Sequence, residues 1–324
     1  MTSSHSRLSN TGRFAAWIGL LLFLLVSLIL IGQFIGLASS LCASLAVISW
    51  GVLIWICSLR FAGLIVALTA FIATIGYIAQ RPSNDRDWKP EIARLPRFEI
   101  ADKTLSLTNL RDFRWRSVNE YEERWVDTNY QLDELRTLDV FVVPFGPADL
   151  MAHVMLSFGF ADGRRLALSV ETRLEKDEHY SLIGGAARQL ELIYLFGAEA
   201  DLLGLRIFHR GNRVYRFPLK TTPDFARDLL LDLCASANQL HERPQFYATL
   251  RHNCTTTLLR HVDRIHPDPI GFRKEILFPA HLGELLHRLD YLDTDLDWPA
   301  AQEAFRIDER VRHSGDLTNL SDTL

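Results

Sequence analysis

The stretch HVMLSFGFADGRRLALSVE (153–171) decides the fold, because it contains two β-type segments on either side of a turn signal. Both segments are short and rich in β-branched or aromatic residues, as strands are. Asp162-Gly163 between them is a typical two-residue hairpin turn. We therefore predict that Val154–Phe160 and Leu166–Glu171 are antiparallel neighbours in a sheet.

Further β-type and helical patterns surround this hairpin. Four more segments have strand composition: 139–145, 190–196, 202–208 and 213–219. Three helical patterns follow, one capped by Thr222 or Asp224 and reaching Asn238, one from Asn253–Thr255 to about Ile265, and one over 281–289. These elements predict an α+β fold, with an antiparallel sheet and packed helices.

The N-terminal part of the chain is strongly apolar. No charged residue lies between Arg13 and Arg60, or between Arg60 and Arg81. Since a membrane span needs roughly 20 apolar residues, we predict three transmembrane helices at about 14–36, 41–59 and 61–79. A cleaved signal peptide is the alternative for the first of them. The arginines flanking the spans favour a cytoplasmic N-terminus, which puts the following domain in the periplasm of a bacterial inner membrane.

The predicted organisation has five parts. They are a cytoplasmic N-terminus (1–13), three transmembrane helices (14–80), a linker (81–108), a periplasmic domain (109–295) and a polar tail (296–324) that we expect to be disordered. The chain has a net charge of −4 and a pI near 6.3, and it contains no basic stripe or Gly-rich phosphate loop. These features argue against nucleic-acid binding.

Cys254 is the candidate nucleophile. It stands just before an apolar-periodic helix, next to Asn253 and Thr255, which are good N-cap residues. The positive end of the helix dipole lowers the pKa of a cysteine in the first turn and favours the thiolate. The N–H groups of the same turn are candidates for an oxyanion hole.

His153 and Glu171 are the candidate partners of Cys254. A strand-borne histidine packed against a helix N-terminus can reach a cysteine there and act as its base. Glu171 is predicted on the adjacent strand, where a carboxylate can hold the imidazole by its other nitrogen.

Other interpretations of these residues stay open at this point. A strand histidine is often structural, and Cys254 and Cys234 can form a disulfide in an oxidising periplasm. His252, Cys254, His261 and His266 also cluster in sequence, although their spacing matches no standard zinc pattern. We expect no metal and no cofactor.

From about Asn109 to Val262 the chain resembles the Lnb N-terminal periplasmic domain family. The match consists of short pieces in a fairly specific order and spacing. They are RDFRWRS (111–117), Ala152-His153, SFGF (157–160), SVETR (169–173), Glu175 to Tyr180, NQL (238–240), PQFY (244–247) and NCTT (253–256).

The resemblance implies a circularly permuted papain-like (NlpC-type) fold, with His153 as base, Cys254 as nucleophile and Glu171 as the orienting group. The expected site-lining residues are Ser157, Arg173, Tyr180 and Asn253. In the family's named member the activity is lipoprotein N-acylation, in which a lipid's acyl group passes to a lipoprotein's N-terminal amine. That member has its membrane helices after the domain, whereas here they are predicted before it.

Three functional hypotheses follow. The first is a membrane-anchored thiol acyltransferase that acts through a Cys254 thioester. The second is a thiol hydrolase, cleaving a peptide, amide or lipid ester at the same site, and the third is a non-catalytic module. The first two need the same nucleophile and base, so the sequence does not separate them. We expect membrane lipid, and a lipoprotein as acyl acceptor, to be the partners.

Overall fold

The computed structural model describes residues 59–146, 149–181, 184–185, 187–249, 253–266 and 273–315. The chain divides into two compact units, Met1–Arg81 with Ser181–Gln189, and Pro82–Tyr180 with Leu190–Leu324.

The first unit contains helix α1 (Leu59–Ala79). This helix lies where the third membrane span is predicted, while the first two predicted spans lie outside the described residues. No helix in the described part of the chain combines the length and the hydropathy of a membrane span.

The second unit is built on an eight-stranded sheet with the order β1-β2-β9-β8-β7-β6-β10, in which β5 also pairs with β2; β3 and β4 form a separate ribbon. The strands are β1 (Arg97–Ala101), β2 (Thr104–Arg111), β3 (Arg114–Trp115), β4 (Tyr121–Glu122), β5 (Trp125–Gln131), β6 (Leu135–Phe145), β7 (Met151–Phe160), β8 (Arg165–Arg173), β9 (Glu191–Ala198) and β10 (Tyr215–Pro218).

The sheet is mixed, which corrects the predicted antiparallel sheet. Strands β6 to β9 are antiparallel neighbours, but β2 runs parallel to β9, with Arg111 opposite Gly197. A parallel pair joins strands that are distant in the chain. No local turn signal announces such a pairing, so it could not be found from sequence pattern.

The central hairpin confirms the first prediction. Strands β7 and β8 pair antiparallel, with Met155 opposite Ser169 and Gly159 opposite Arg165. Gly163 has a φ of +83° in the turn, a conformation that glycine adopts without a steric penalty. The hairpin therefore holds its two strands in one register.

The predicted strand over 202–208 is wrong. The chain there forms helix α2 (Glu199–Gly204), followed by a π-helical turn (Leu205–His209). Leu202, Leu203 and Ile207 are all buried. A short apolar run that is buried throughout has no periodicity to distinguish strand from helix.

Six more helices follow in the described residues. They are α3 (Pro223–Glu242), α4 (Cys254–Ile265), α5 (Lys274–Leu277), α6 (Leu282–Arg288), α7 (Trp298–Ala304) and α8 (Asp308–Ser314). The Thr222 side chain caps α3 by accepting a hydrogen bond from the Phe225 N–H. The last two helices lie in the region predicted as a polar tail, where Ile307 and Val311 are buried.

The core is divided into two clusters. Val154 and Leu156 of β7 belong to the larger cluster, together with apolar residues of α3 and α4. Met155 belongs to the smaller cluster, which includes residues of α2, the π-helical turn and α8. Successive side chains of a strand point to opposite faces, so the sheet is covered by helices on both faces.

Asp201 joins α2 to the N-terminal strands. Its buried carboxylate accepts hydrogen bonds from Arg111 Nε (2.8 Å) and Nη2 (2.9 Å). It also accepts from the Phe113 N–H (2.9 Å) and from Trp115 Nε1 (2.7 Å). One carboxylate therefore satisfies four donors from the β2–β3 segment.

We predict that Asp201→Ala lowers the free energy of unfolding by about 3–5 kcal/mol, because it leaves the Arg111 guanidinium buried without a counter-ion. Urea unfolding followed by far-UV circular dichroism measures the change. Asp133→Ala is the matched control, since Asp133 pairs with Lys103 at the surface, and it should have little effect. Equal stability of the two variants would contradict the prediction.

Candidate active site

Cys254 is the first residue of α4, held there by a capping box. The Asn253 side-chain oxygen accepts a hydrogen bond from the Thr256 N–H at 2.8 Å. In return, Thr256 Oγ1 accepts from the Asn253 N–H at 3.1 Å. This reciprocal pair stabilises the helix start and places a buried thiol, 8% exposed, in the first turn.

His153 and Glu171 meet across the β7–β8 hairpin. Nε2 of His153 lies 2.5 Å from Ser169 Oγ and 3.2 Å from Glu171 Oε1. Ser169 donates its hydroxyl hydrogen to Glu171 Oε1 at 2.7 Å, so the histidine must donate to Ser169. Nδ1 is therefore the ring nitrogen left free of these contacts. The Cys254 sulfur lies 3.9 Å from the Ala152 carbonyl oxygen, next to His153 in the chain, and the two side chains shift each other's pKa.

Arg206 gives Glu171 a second cation. Its Nη2 donates to Glu171 Oε1 at 2.9 Å, and its Nη1 donates to the Leu202 carbonyl at 2.8 Å. Sequence reasoning missed this residue because 202–208 was predicted as a strand. The available signal was a single cation within an apolar run, since a buried charge needs a partner.

The charges of the site favour an ion pair between Cys254 and His153. Burial disfavours ionisation of the Cys254 thiol, but the charge and hydrogen bond of His153 outweigh it and lower the pKa. Burial also disfavours the imidazolium, yet the charges of Glu171 and Cys254 raise the pKa of His153 to about 9. The Glu171 carboxyl is penalised by burial, but His153 and Arg206 hold its pKa well below the ordinary value.

Two backbone donors lie next to the sulfur. Among the described residues, no acceptor pairs with the N–H groups of Cys254 and Thr255. The first N–H groups of a helix have no partner within it, and donors placed like these can stabilise a developing oxyanion.

The three residues border a cleft of about 570 Å³. Tyr180 and Asn253, both predicted to line the site, also border it. Tyr247, which the sequence did not single out, is buried and borders the same cleft. Phe145 and Met151 border the cleft as well, and they are 44% and 38% exposed.

Ser157 and Arg173 lie away from the cleft, in contrast to the prediction. The Ser157 hydroxyl donates to buried Glu199. The Arg173 guanidinium donates to the Ile92 carbonyl and to Asn84 Oδ1 and stacks on Trp88. The polar groups of both side chains are hydrogen-bonded to residues outside the cleft. A short family motif does not record such contacts.

The alternative interpretations find no support in the described residues. Cys234 and Cys254 are both free thiols. His261 binds Asp232 through Nδ1 (2.6 Å) and the Tyr194 hydroxyl through Nε2 (2.8 Å). In the described part of the chain, no three His, Cys, Asp or Glu side chains are grouped as metal ligands.

Comparison with known proteins gives one match. The family model described as the Lnb N-terminal periplasmic domain matches residues 121–282, which is half of the chain. The matched range contains His153, Glu171 and Cys254. No curated protein and no solved structure matches the chain.

We predict that the Cys254 thiol is alkylated by iodoacetamide at a lower pH than an ordinary thiol, because its pKa is lowered. Labelling across pH, resolved by peptide in a mass spectrometer, measures this midpoint. His153→Ala should move the midpoint to higher pH, since burial then acts without the cation. Cys234 is the internal control, because burial raises its pKa well above the ordinary value and it should stay unmodified. A midpoint unchanged by His153→Ala would contradict the ion pair.

Glu171→Gln tests whether the Glu171 charge raises the pKa of His153. Without the carboxylate's charge, the pKa of His153 should fall from about 9, so the imidazolium is lost at a lower pH. The labelling profile should therefore lose its low-pH reactivity in part, while the protein stays folded. Asp162→Asn, which changes an exposed turn carboxylate that pairs with Arg164, should leave the profile unchanged.

Proposed function

The chain belongs to the Lnb N-terminal periplasmic domain family, and from that premise we propose that it is a thiol acyltransferase that carries the acyl group on Cys254. The observation that supports this most is that Cys254, in the first turn of α4, lines one cleft with His153, and that His153 is paired with Glu171 at 3.2 Å. The family description indicates a periplasmic location in bacteria.

In the first step, the Cys254 thiolate attacks the carbonyl carbon of an acyl ester. A carbon–sulfur bond forms, and the N–H groups of Cys254 and Thr255 hold the oxyanion of the tetrahedral intermediate. The carbon–oxygen bond to the leaving alcohol then breaks, and the His153 imidazolium protonates that oxygen. The product of this step is a thioester on Cys254, with neutral His153 beside it.

In the second step, an amine replaces the sulfur. The amine nitrogen attacks the thioester carbon, and neutral His153 accepts the proton that the nitrogen loses. The carbon–sulfur bond breaks, which returns the thiolate next to the imidazolium. Glu171 keeps the imidazole ring oriented through both steps, since it holds Nε2 directly and through Ser169.

A lipid donor and membrane attachment are part of this proposal. Phe145 and Met151 at the cleft, with Leu150 and Phe278, are large apolar side chains at least 38% exposed, and exposed apolar groups of this kind mark lipid or protein contact sites. The uncharged sequence before Arg60 supports attachment to the membrane. A lipoprotein N-terminus is then the proposed acceptor.

We also propose that the domain is a permuted relative of papain-like enzymes. This is supported by the chain order, in which the histidine strand β7 precedes the cysteine helix α4. It is further supported by the contacts of His153 Nε2 with Ser169 and with Glu171, the proposed orienting group.

The proposal is tested with the full chain, phospholipid vesicles and a peptide that has a free N-terminal amine. Intact mass spectrometry should find an acyl adduct on the protein and N-acylated peptide as product. Cys254→Ala should lose both, because no thioester can form, whereas Cys234→Ala should retain both. Release of free fatty acid without N-acylated peptide would identify the hydrolase alternative. Formation of N-acylated peptide by Cys254→Ala would contradict the thioester mechanism.

A further inference from the structure

A second cavity lies along α4. It has a volume of about 350 Å³ and is bounded by residues of β6, β7, α3, α4 and α6. From α4 it is lined by Thr255, Leu258, Leu259, Val262 and His266. These positions recur at helical spacing, so the cavity follows one face of α4 from its first turn to its C-cap.

The cavity is elongated and one of its ends is next to the nucleophile. Eleven residues separate Thr255 from His266, which corresponds to roughly 16 Å along the helix. Thr255 directly follows Cys254, and its hydroxyl oxygen is 3.8 Å from the Cys254 sulfur. Thr255 and Ile276 line both this cavity and the catalytic cleft, so only these side chains stand between the two spaces beside the thiol.

The walls are almost wholly apolar. Leucine and valine side chains dominate the lining. Two of the polar lining residues have partners: Thr222 Oγ1 accepts from the Phe225 N–H, and the Lys220 ammonium pairs with Asp290 at 3.2 Å. Lys220 is 60% exposed, so that pair lies where the lining reaches the surface.

We propose that this cavity binds the fatty-acyl chain of the Cys254 thioester, an inference that rests on the acyl-transfer function proposed above. A peptide segment in the cavity would bury amide groups against a lining made mostly of leucine and valine, which is costly. A hydrocarbon chain has no such groups, and it matches a long apolar space that is lined by Thr255, the residue next to the reacting sulfur. The acyl carbonyl lies at Cys254, and the chain runs past Thr255 along α4.

The inference makes chain length a determinant of acylation. Each buried methylene contributes roughly fourfold to binding, so acylation of Cys254 by soluble esters should accelerate as the acyl chain lengthens. Filling the cavity should remove this gain and spare short acyl groups, which react at the cleft alone.

The test measures acylation of the full chain by p-nitrophenyl acetate and p-nitrophenyl octanoate, at one fixed detergent concentration. Nitrophenolate release gives the rate, and intact mass with a Cys254→Ala control assigns the adduct. Partition of ester into detergent cancels when the octanoate-to-acetate ratio is compared between variants. Leu289→Trp and Val262→Trp introduce a large side chain at two partly buried lining positions outside the catalytic residues. Leu296→Trp is the matched control, since Leu296 is 46% exposed and does not line the cavity.

We expect wild type and Leu296→Trp to prefer octanoate. Leu289→Trp and Val262→Trp should lower the octanoate-to-acetate ratio by about tenfold or more, with acetate rates unchanged. A wild-type ratio that does not favour octanoate, or a ratio that survives in both cavity variants, would overturn the inference. Acetate acylation at Cys254 reports the proposed function separately: without any adduct the proposed function fails, whereas an adduct without chain-length preference rejects only the cavity.

Discussion

This site depends on the pairing of opposite charges among side chains that are largely removed from water. Glu171 is ionised because two cations, His153 and Arg206, contact the same carboxylate oxygen. His153 in turn holds its proton because the negative charges of Glu171 and Cys254 raise its pKa. Each charge is stable in this buried place only next to its neighbours. Removing one member should therefore shift the pKa values of the others.

The fold supplies these charges from three separate elements. The hairpin register places Met155 opposite Ser169, and His153 and Glu171 each lie two residues from that pair along their strands, on the same side of the sheet. The π-helical turn supplies Arg206, and α4 supplies the thiol together with the N–H groups of its first turn. The turn that carries Arg206 directly follows α2, which is itself tied to β2 and β3 through Asp201. Stability of the scaffold and orientation of the catalytic carboxylate are therefore connected through one short segment.

Helix α4 carries the nucleophile, anchors itself to the sheet and lines the long cavity, each through a different set of residues. Its first turn carries the nucleophile, while His261, seven residues later, is fixed between Asp232 of α3 and Tyr194 of β9. That buried contact pins the helix to the sheet. The remaining apolar face borders the long cavity, so the position of the helix sets both the reach of the thiol towards His153 and the width of the space for an acyl chain.

The sequence by itself determined the parts of this protein that depend on short-range chemistry. The Asp162-Gly163 turn, the Thr222 cap and the start of α4 at Cys254 follow from local hydrogen bonding and backbone preference. His153, Glu171 and Cys254 were candidates because of a predicted strand pair and a predicted helix start, and the family resemblance selected them among the other histidines and acids. The tertiary structure alone decided the parallel β2–β9 pair, the helical state of 199–209 and the partners of Arg206, Ser157 and Arg173. Those features arise between residues far apart in the chain, where burial and charge pairing outweigh local propensity, and no local pattern records them.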